Sequence, residues 1–259
     1  MNLKERRRRC PAGENPKTVS SFIEENPMRH NLKINLTICF KSKWHTGSGE
    51  GGFLVDRLIR KDARGWPCIP GSTLKGVIRE NCEKLSRTLG FPAPLNPHET
   101  EPSSKAFALL NTLDSPVDRI FGNKYQSGNL FFRDARLKDK PPHRYLREQS
   151  RICSYRKLRT AKDQHLFSTQ YAGVAEFETR INGYHEDLAF VFEEDPPCAY
   201  CLLIAGIKMT DRLGGDKSTG SGRINIRFDT IEYNGEAVSM DTVLDYLDSE
   251  LYIETRQTL

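Results

Sequence analysis

The chain is predicted to fold as an α+β domain, on three observations. Between Leu32 and Phe40, the residues Leu32, Ile34, Leu36, Ile38 and Phe40 alternate with Lys33, Asn35, Thr37 and Cys39. That period of two is the signature of a strand with one buried face. After the turn signal Pro70-Gly71, the residues Leu74, Val77, Ile78 and Leu85 share one face of a helix running toward Leu89, with Ser72 as its expected N-cap. A second alternating segment, Phe177-Thr179-Ile181, and a closing strand, Ile224 to Phe228, supply the rest of a sheet.

With 259 residues the chain has ample length for a core, and a formal charge of +5 does not by itself point to nucleic acid. Lys and Arg cluster locally instead. Seven cysteines in an odd, irregular set argue against a disulfide framework and for a reducing cytoplasm. No apolar run has the length of a bilayer span, so no membrane is expected. Residues 1–30 read as a flexible basic arm, with Arg6 to Arg9 as a charge run and no apolar core of a signal peptide. Such an arm either touches nucleic acid or a neighbouring subunit, or is a solvated tail. Residues 31–259 read as one domain with insertions at about 91–115 and 138–165.

Two glycine loops stand out. Trp44 to Gly52 holds four glycines after His45, and Leu213 to Arg223 holds Lys217, Ser218, Gly220 and Gly222, a reasonable phosphate cradle without the order of a P-loop. At the helix start, exposed N–H groups attract anions, and Lys75 and Arg79 lie four apart on one side. The plain alternative is a capped amphipathic helix with solvated basic residues. Pro116 to Phe121 reads as a brief helix stopped by Gly122, Gly128 to Ala135 as a strand, and Ala106 to Leu113 as a short helix. Cys198 to Met209 is nearly all apolar and reads as a buried central strand or helix. Val243, Leu244, Leu247 and Leu251 have helical spacing in the tail. From Lys138 to Lys162, Arg, Lys, Tyr and His are interleaved with few aliphatic residues, which predicts a projecting loop or hairpin suited to stacking on bases and pairing with phosphates.

Four blocks in order resemble the repeat-associated mysterious protein (RAMP) superfamily, and within it the backbone subunits of type III CRISPR effector complexes. They are the strand Leu32 to Phe40 with the loop after His45, Ile69-Pro70-Gly71-Ser72-Thr73-Leu74-Lys75-Gly76, the pair Ile120-Phe121-Gly122 and Gly128 to Ala135, and Leu213-Gly214-Gly215 through Arg223. The resemblance implies a modified ferredoxin-like, RNA-recognition-motif-like core with large insertions and a thumb hairpin. It also implies a cytoplasmic ribonucleoprotein whose partners are guide RNA, target RNA, neighbouring copies and other RAMP subunits, and in which base pairing reads sequence. By the same carry-over His45, Gly47, Gly49, Ser72, Lys75, Arg79, Lys217, Ser218, Gly220, Gly222 and Arg223 become the RNA contacts.

In catalytic members a single Asp upstream of the Pro-Gly motif is required for target cutting. Asp56 sits in the matching place, and Asp62 is its competitor. An ordinary Asp is a poor general base at neutral pH, so the expected role is to help hold Mg²⁺ or orient a nucleotide whose own 2′-hydroxyl attacks. The plain alternative is a loop Asp capping a turn. Cys198 and Cys201 form a Cys-x-x-Cys pair read as buried thiols. A zinc site, which some relatives carry, would draw on Cys10, His143, Cys153 and His165. Two rivals keep the family but change the role: a non-catalytic structural or capping subunit, and a guide-processing endoribonuclease relying on a histidine or basic pocket.

Overall fold

The computed structural model describes residues 29–95, 115–141, 145–155, 157–186, 188 and 196–244. The first of its elements is β1 (Arg29–Phe40), whose alternating apolar residues are buried, with Ile34 and Ile38 fully so. It is the central strand. β7 (Glu176–Glu186) pairs along one side of it and β8 (Ile224–Tyr233) along the other, both antiparallel. The short strands β2 (Cys68–Ile69), β3 (Leu130–Phe132), β4 (Ala135–Leu137) and β9 (Glu236–Ala237) complete a sheet ordered β2-β4-β7-β1-β8-β9, with β3 also on β7.

Helix α1 (Gly71–Thr88) follows β1 and β2, and α3 (Cys198–Lys208) follows β7. Leu74, Ile78 and Cys82 of α1 and most of α3 join Leu32, Ile34, Leu36 and Ile38 in one apolar core. Between these long elements lies α2 (Pro116–Phe121), ended by Gly122 at φ 78°, and α4 (Met240–Leu244) follows β9. The opposite face of the sheet is polar and stitched across strands. Lys33 pairs with Glu232 at 2.8 Å, Thr37 donates to Asp229 at 2.7 Å, and Arg180 donates to Asn35 at 2.8 Å.

Several expectations change. The strand begins at Arg29, two residues inside the expected arm, because His30 is buried on Tyr233 and the Arg29 guanidinium lies 3.7 Å from the centroid of the Tyr184 ring. Residues 1–28, the expected helix Ala106 to Leu113 and the tail beyond Leu244 lie outside the described residues. Of the two forms expected for Cys198 to Met209, strand or helix, the structure shows the helix: Pro197 caps its start, and its uniform hydrophobicity reflects burial on nearly every side. The segment Gly128 to Ala135 is two short strands separated by Arg133 and Asp134. Ser72 is not the N-cap of α1; Pro70 is, and no side chain of the helix caps its start. The first free N–H, that of Gly71, donates instead to Asp134 Oδ1 at 2.8 Å, so a carboxylate from the β3–β4 joint already meets the helix dipole.

The basic stretch forms a hairpin of its own, β5 (Leu146–Tyr155) with β6 (Thr160–Ala172), paired antiparallel as a separate two-stranded sheet. Its far half is exposed on both faces, including Ile152, Leu158 and Leu166. The near end joins the body through reciprocal bonds between Trp44 and Ala172 at 2.9 and 3.0 Å.

Two outcomes test this packing. A Cβ at Gly206 would stand 2.3 Å from Cys82 Sγ, whereas one at Gly76 meets nothing within 4 Å. Gly206→Ala should therefore destabilise by about 1–3 kcal/mol and Gly76→Ala stabilise by about 0.5–1 kcal/mol in denaturant titrations, although both add the same methyl group to a helix. Burial pushes His185 down to about 4. Its neutral form is the folded one, so stability is complete above the ordinary histidine value near 6.5 and is lost as pH falls toward 4. That loss is up to about 3 kcal/mol. The wild type minus His185→Asn difference in unfolding free energy should shrink across that window, and a flat difference would refute the assignment.

Candidate nucleic-acid interface

The first glycine loop is a narrow ribbon rather than an open loop. Ser48 N–H donates to Leu58 O at 2.9 Å, Arg60 N–H to Thr46 O at 2.8 Å, and Gly52 N–H to Val55 O at 2.7 Å. Glycine is demanded at Gly49, where φ is +84°; Gly47 lies at a bridge to Ile59. The ribbon turns at Phe53 and Leu54, both fully or largely exposed, and Asp56 follows after the buried Val55.

His45, at the root of the ribbon, is only 6% exposed. Its Nδ1–H donates to Gln170 O at 2.8 Å, and its carbonyl accepts the Gly215 N–H at 2.8 Å. The histidine thus fastens the first glycine loop to β6 and to the second glycine loop. A side chain at Gly214, where φ is +90°, would stand 2.3 Å from His45 O, so close approach makes glycine necessary there. His45 is accordingly a joint between segments, which differs from the surface RNA contact expected of it.

In the second loop, Lys217–Thr219 form one 3₁₀ turn between Asp216 and Gly220, both left-handed. Ser218, Gly220 and Arg223 are exposed, Lys217 is half-buried, and Gly222 is buried against Leu213 O. Asp216 anchors the loop to the hairpin. Tyr171 on β6 donates its hydroxyl to Asp216 Oδ2, and Arg151 on β5 reaches Asp216 Oδ1 at 3.1 Å. Burial pushes the Asp216 carboxyl up, but the Tyr171 hydroxyl and the charges of Arg151 and Arg57 outweigh it and hold it below the usual carboxylate range. Burial and the same bond push Tyr171 to about 12. Lys43 Nζ lies 4.7 Å from the Tyr171 ring centroid and donates to Gln149. Lys43, Arg57 and Arg151 therefore surround one aromatic ring and one carboxylate where both glycine loops meet the hairpin base, while the Lys217 charge acts on Glu80 of α1. Of these, Lys43, Arg57, Tyr171 and Asp216 went unassigned in the sequence; alternation of basic and aromatic residues in the hairpin was the available signal.

On α1, Ser72 is exposed and Lys75 half-buried. Burial, then the Arg79 charge, pushes the Lys75 ammonium down, and no carboxylate pairs with it among the described residues. It lines a cleft of about 420 Å³ with Lys124, Asn123, Gln126 and Ser127. Arg79 borders the same cleft but is engaged internally, donating to Glu83 at 2.9 Å, to Gly122 O at 2.8 Å and to Asp118 at 3.4 Å. Its role as found is to tie α1 to α2. The sequence alone places it among the RNA contacts.

The two candidate carboxylates differ in setting. Asp62 is consumed by its own turn, accepting from Arg64 N–H at 2.9 Å, Trp66 N–H at 3.0 Å and Arg64 Nε at 3.0 Å. Partial burial opposes these bonds, but they hold it below its ordinary value. Asp56 is fully exposed, and the backbone N–H and hydroxyl of Ser168 hold it below the usual range. It is anionic at neutral pH and no general base. Among the described residues no set of three or more His, Cys, Asp or Glu is grouped as a metal site. Cys198 and Cys201 are buried on α3 and Cys153 is exposed, while Cys10 and His143 lie outside the described residues.

Comparison with known proteins fits this geometry. A sequence model of the RAMP superfamily matches residues 37–225, from the middle of β1 to the start of β8 and across both glycine loops. The chain belongs to the RAMP superfamily. Among solved structures, a chain of the cryo-EM structure of the type III-B Cmr-beta bound to cognate target RNA matches with a TM-score of 0.50 and 13% identity. The match covers 76% of this chain and 96% of that chain. No curated protein matches. This RAMP chain shares its fold with that structure, and no helix among its described residues is long and apolar enough to cross a membrane.

The anchoring of the hairpin is testable. Asp216→Asn keeps the left-handed backbone accessible and an acceptor for Tyr171, but removes the charge facing Arg151. We expect a loss of about 1 kcal/mol near neutral pH in thermal or denaturant unfolding. Because the carboxyl is depressed in the folded state, that difference should persist above its ordinary value and vanish as pH falls through the folded one. An unchanged stability at pH 7 would remove the ion pair from the account.

Proposed function

We propose that this chain is a backbone subunit of a type III CRISPR ribonucleoprotein. In this role it holds guide RNA on the surface where its two glycine loops meet the hairpin base and, through Asp56, cuts the paired target RNA. The observation that carries the reading is the convergence of Lys43, Arg57 and Arg151 around Tyr171 and Asp216, with Asp56, a fully exposed carboxylate, next to Arg57 in the chain. The core is read as ferredoxin-like, which the order β4-β7-β1-β8 with helices after β1 and β7 supports. The β5–β6 hairpin is read as the thumb, supported by its exposed Ile152, Leu158 and Leu166, which suit insertion beside bases. Guide and target RNA, neighbouring copies and other RAMP subunits are the partners, in the cytoplasm.

Phosphates of the guide would be met by Lys217, Ser218 and Arg223 on one loop and by Lys75 with Ser72 at the α1 cleft. Lys75 is suited because it is partly desolvated without a carboxylate partner, so an RNA phosphate restores its solvation. Asp56 alone cannot cage a cation. Its exposure fits Mg²⁺, which keeps several waters and needs only one or two carboxylates besides phosphate oxygens. When bound, that ion would neutralise charge on the scissile phosphate. In the reaction the target's 2′-oxygen forms a bond to the adjacent phosphorus as the bond to the 5′-oxygen breaks. The 2′-hydroxyl proton leaves to solvent, the 5′-oxygen gains one, and a 2′,3′-cyclic phosphate and a 5′-hydroxyl result. Asp56 orients this arrangement and takes no proton. The buried, doubly bonded His45 gives no support to the guide-processing alternative.

The test is cleavage of a labelled complementary RNA by the assembled complex with Mg²⁺. Asp56→Asn should slow evenly spaced cutting by about a hundredfold or more with target binding retained. Asp62→Asn should lower stability and leave the cutting rate within a few-fold. If Asp56→Asn cuts like wild type, the chain is a structural or capping subunit.

A further inference from the structure

Ser168, on β6 of the hairpin, makes an unusual set of contacts with the segment carrying Asp56. Its N–H donates to Asp56 Oδ2 at 2.6 Å, and its Oγ lies 3.2 Å from the same oxygen. The Oγ also accepts the Asp56 N–H at 3.3 Å and lies 3.0 Å from Leu54 O. The Ser168 carbonyl accepts the Arg57 N–H at 3.2 Å, and Gln170 N–H donates to Arg57 O at 3.0 Å. A hydroxyl has one proton to give, which Leu54 O and Asp56 Oδ2 share, while its lone pair receives Asp56 N–H. One serine thereby holds three residues of the ribbon, 112 positions away in sequence from Asp56.

We infer that Ser168 is a positioning residue, the hairpin group that orients the Asp56 carboxylate for target cutting. The inference rests on the reading of Asp56 as the cleaving carboxylate. Both Ser168 donors converge on Oδ2, so that oxygen is turned to β6 and Oδ1 is left as the one to face an RNA ligand. Asp62 provides the contrast: its partners, Arg64 and Trp66, lie within four residues, as in a locally capped turn. Asp56 is instead held by tertiary contact with the separate β5–β6 hairpin. The fixed direction matters because displacing a catalytic group by about 1 Å costs on the order of a hundredfold in rate. The hairpin and the cutting carboxylate thus move as one unit, and the spacing between hairpin and cut is set by Ser168.

The experiment compares assembled complexes carrying wild type, Ser168→Ala, Ser168→Thr and Asp56→Asn. It measures single-turnover cutting, target affinity and deuterium uptake of the peptide spanning 50–58. Ser168→Ala removes the hydroxyl and keeps the N–H, so cutting should slow about tenfold. Target Kd should stay within about twofold, and uptake at the Asp56 amide should quicken because its acceptor is gone. Ser168→Thr, which keeps the hydroxyl and suits a strand, should restore both rate and protection. Cutting by Ser168→Ala at the wild-type rate, or a loss that only follows weakened target binding, overturns the positioning role. Wild-type cutting by Asp56→Asn overturns the underlying reading instead, so the two failures are distinguishable.

Discussion

The joint at His45 is the constraint on which the rest of the arrangement depends. Its carbonyl accepts Gly215 N–H, its imidazole Nδ1–H donates a hydrogen bond to Gln170 O, and the neighbouring Trp44 exchanges two main-chain bonds with Ala172. Two segments remote in sequence, β6 and the second glycine loop, are thereby fixed to the end of β1. The pair at Trp44 is sheltered, since Trp44 is fully buried and stacks on Phe40 at 4.6 Å. Sheltered bonds are stronger than exposed ones, and leaving one partner unpaired there costs about 1–3 kcal/mol. A basic surface assembled from loops would otherwise splay apart by mutual repulsion. The joint, with Asp216 as a single central anion, keeps the cations of Lys43, Arg57 and Arg151 together before any ligand neutralises them.

Much of the fold was legible because its long strands have one buried face. In β1 and β7 the alternation of Ile34 and Ile38, or Phe177 and Ile181, with polar neighbours has no other economical explanation. α3 was ambiguous for the converse reason. It is buried almost all round, so Leu202, Leu203 and Ile204 carry no period, and only the Pro196-Pro197 entry marks a helix start. The N-cap of α1 was misread because its capping carboxylate is not local: Asp134 lies 63 residues on, joined through the β3–β4 bend. Tertiary caps leave no spacing to read.

The candidate site was legible as motifs and not as a network. Both glycine loops are recognisable from composition, and Asp56 from its distance to Pro70. That His45 faces inward while Tyr171 and Arg151 face the second loop depends on how β6 registers against Trp44, which pairs residues over a hundred positions apart. Arg79 shows the same limit. Its spacing from Lys75 is that of a phosphate clamp, yet Glu83 and Asp118 claim it, because a guanidinium bonded to two carboxylates and a carbonyl is satisfied without a ligand. Lys75, lacking such partners among the described residues, keeps its capacity for an anion.

Apolar exposure completes the physical picture. Phe53 is fully exposed and Leu54 81% exposed at the ribbon tip, while Leu158 is 70% and Leu166 68% exposed on the hairpin. Scattered apolar residues on a surface need no explanation, but these are concentrated on the two projections that flank Asp56. Neither projection has a core of its own to bury them. A β-hairpin exposed on both faces is marginal in water, so its order comes from the base, through Tyr171, Arg151, Ser168 and Ala172. Ile152, Leu158 and Leu166 beyond that base bury little of their apolar surface in the isolated chain. Their value is realised only against another surface, and nucleobases offer apolar faces of suitable size. Cations gather where the loops meet the hairpin base, and exposed apolar groups lie beyond it among further basic ones such as Lys157 and Arg159. On the proposed reading both kinds of group have a counterpart on an RNA strand, whose phosphates pair with cations and whose bases offer apolar faces.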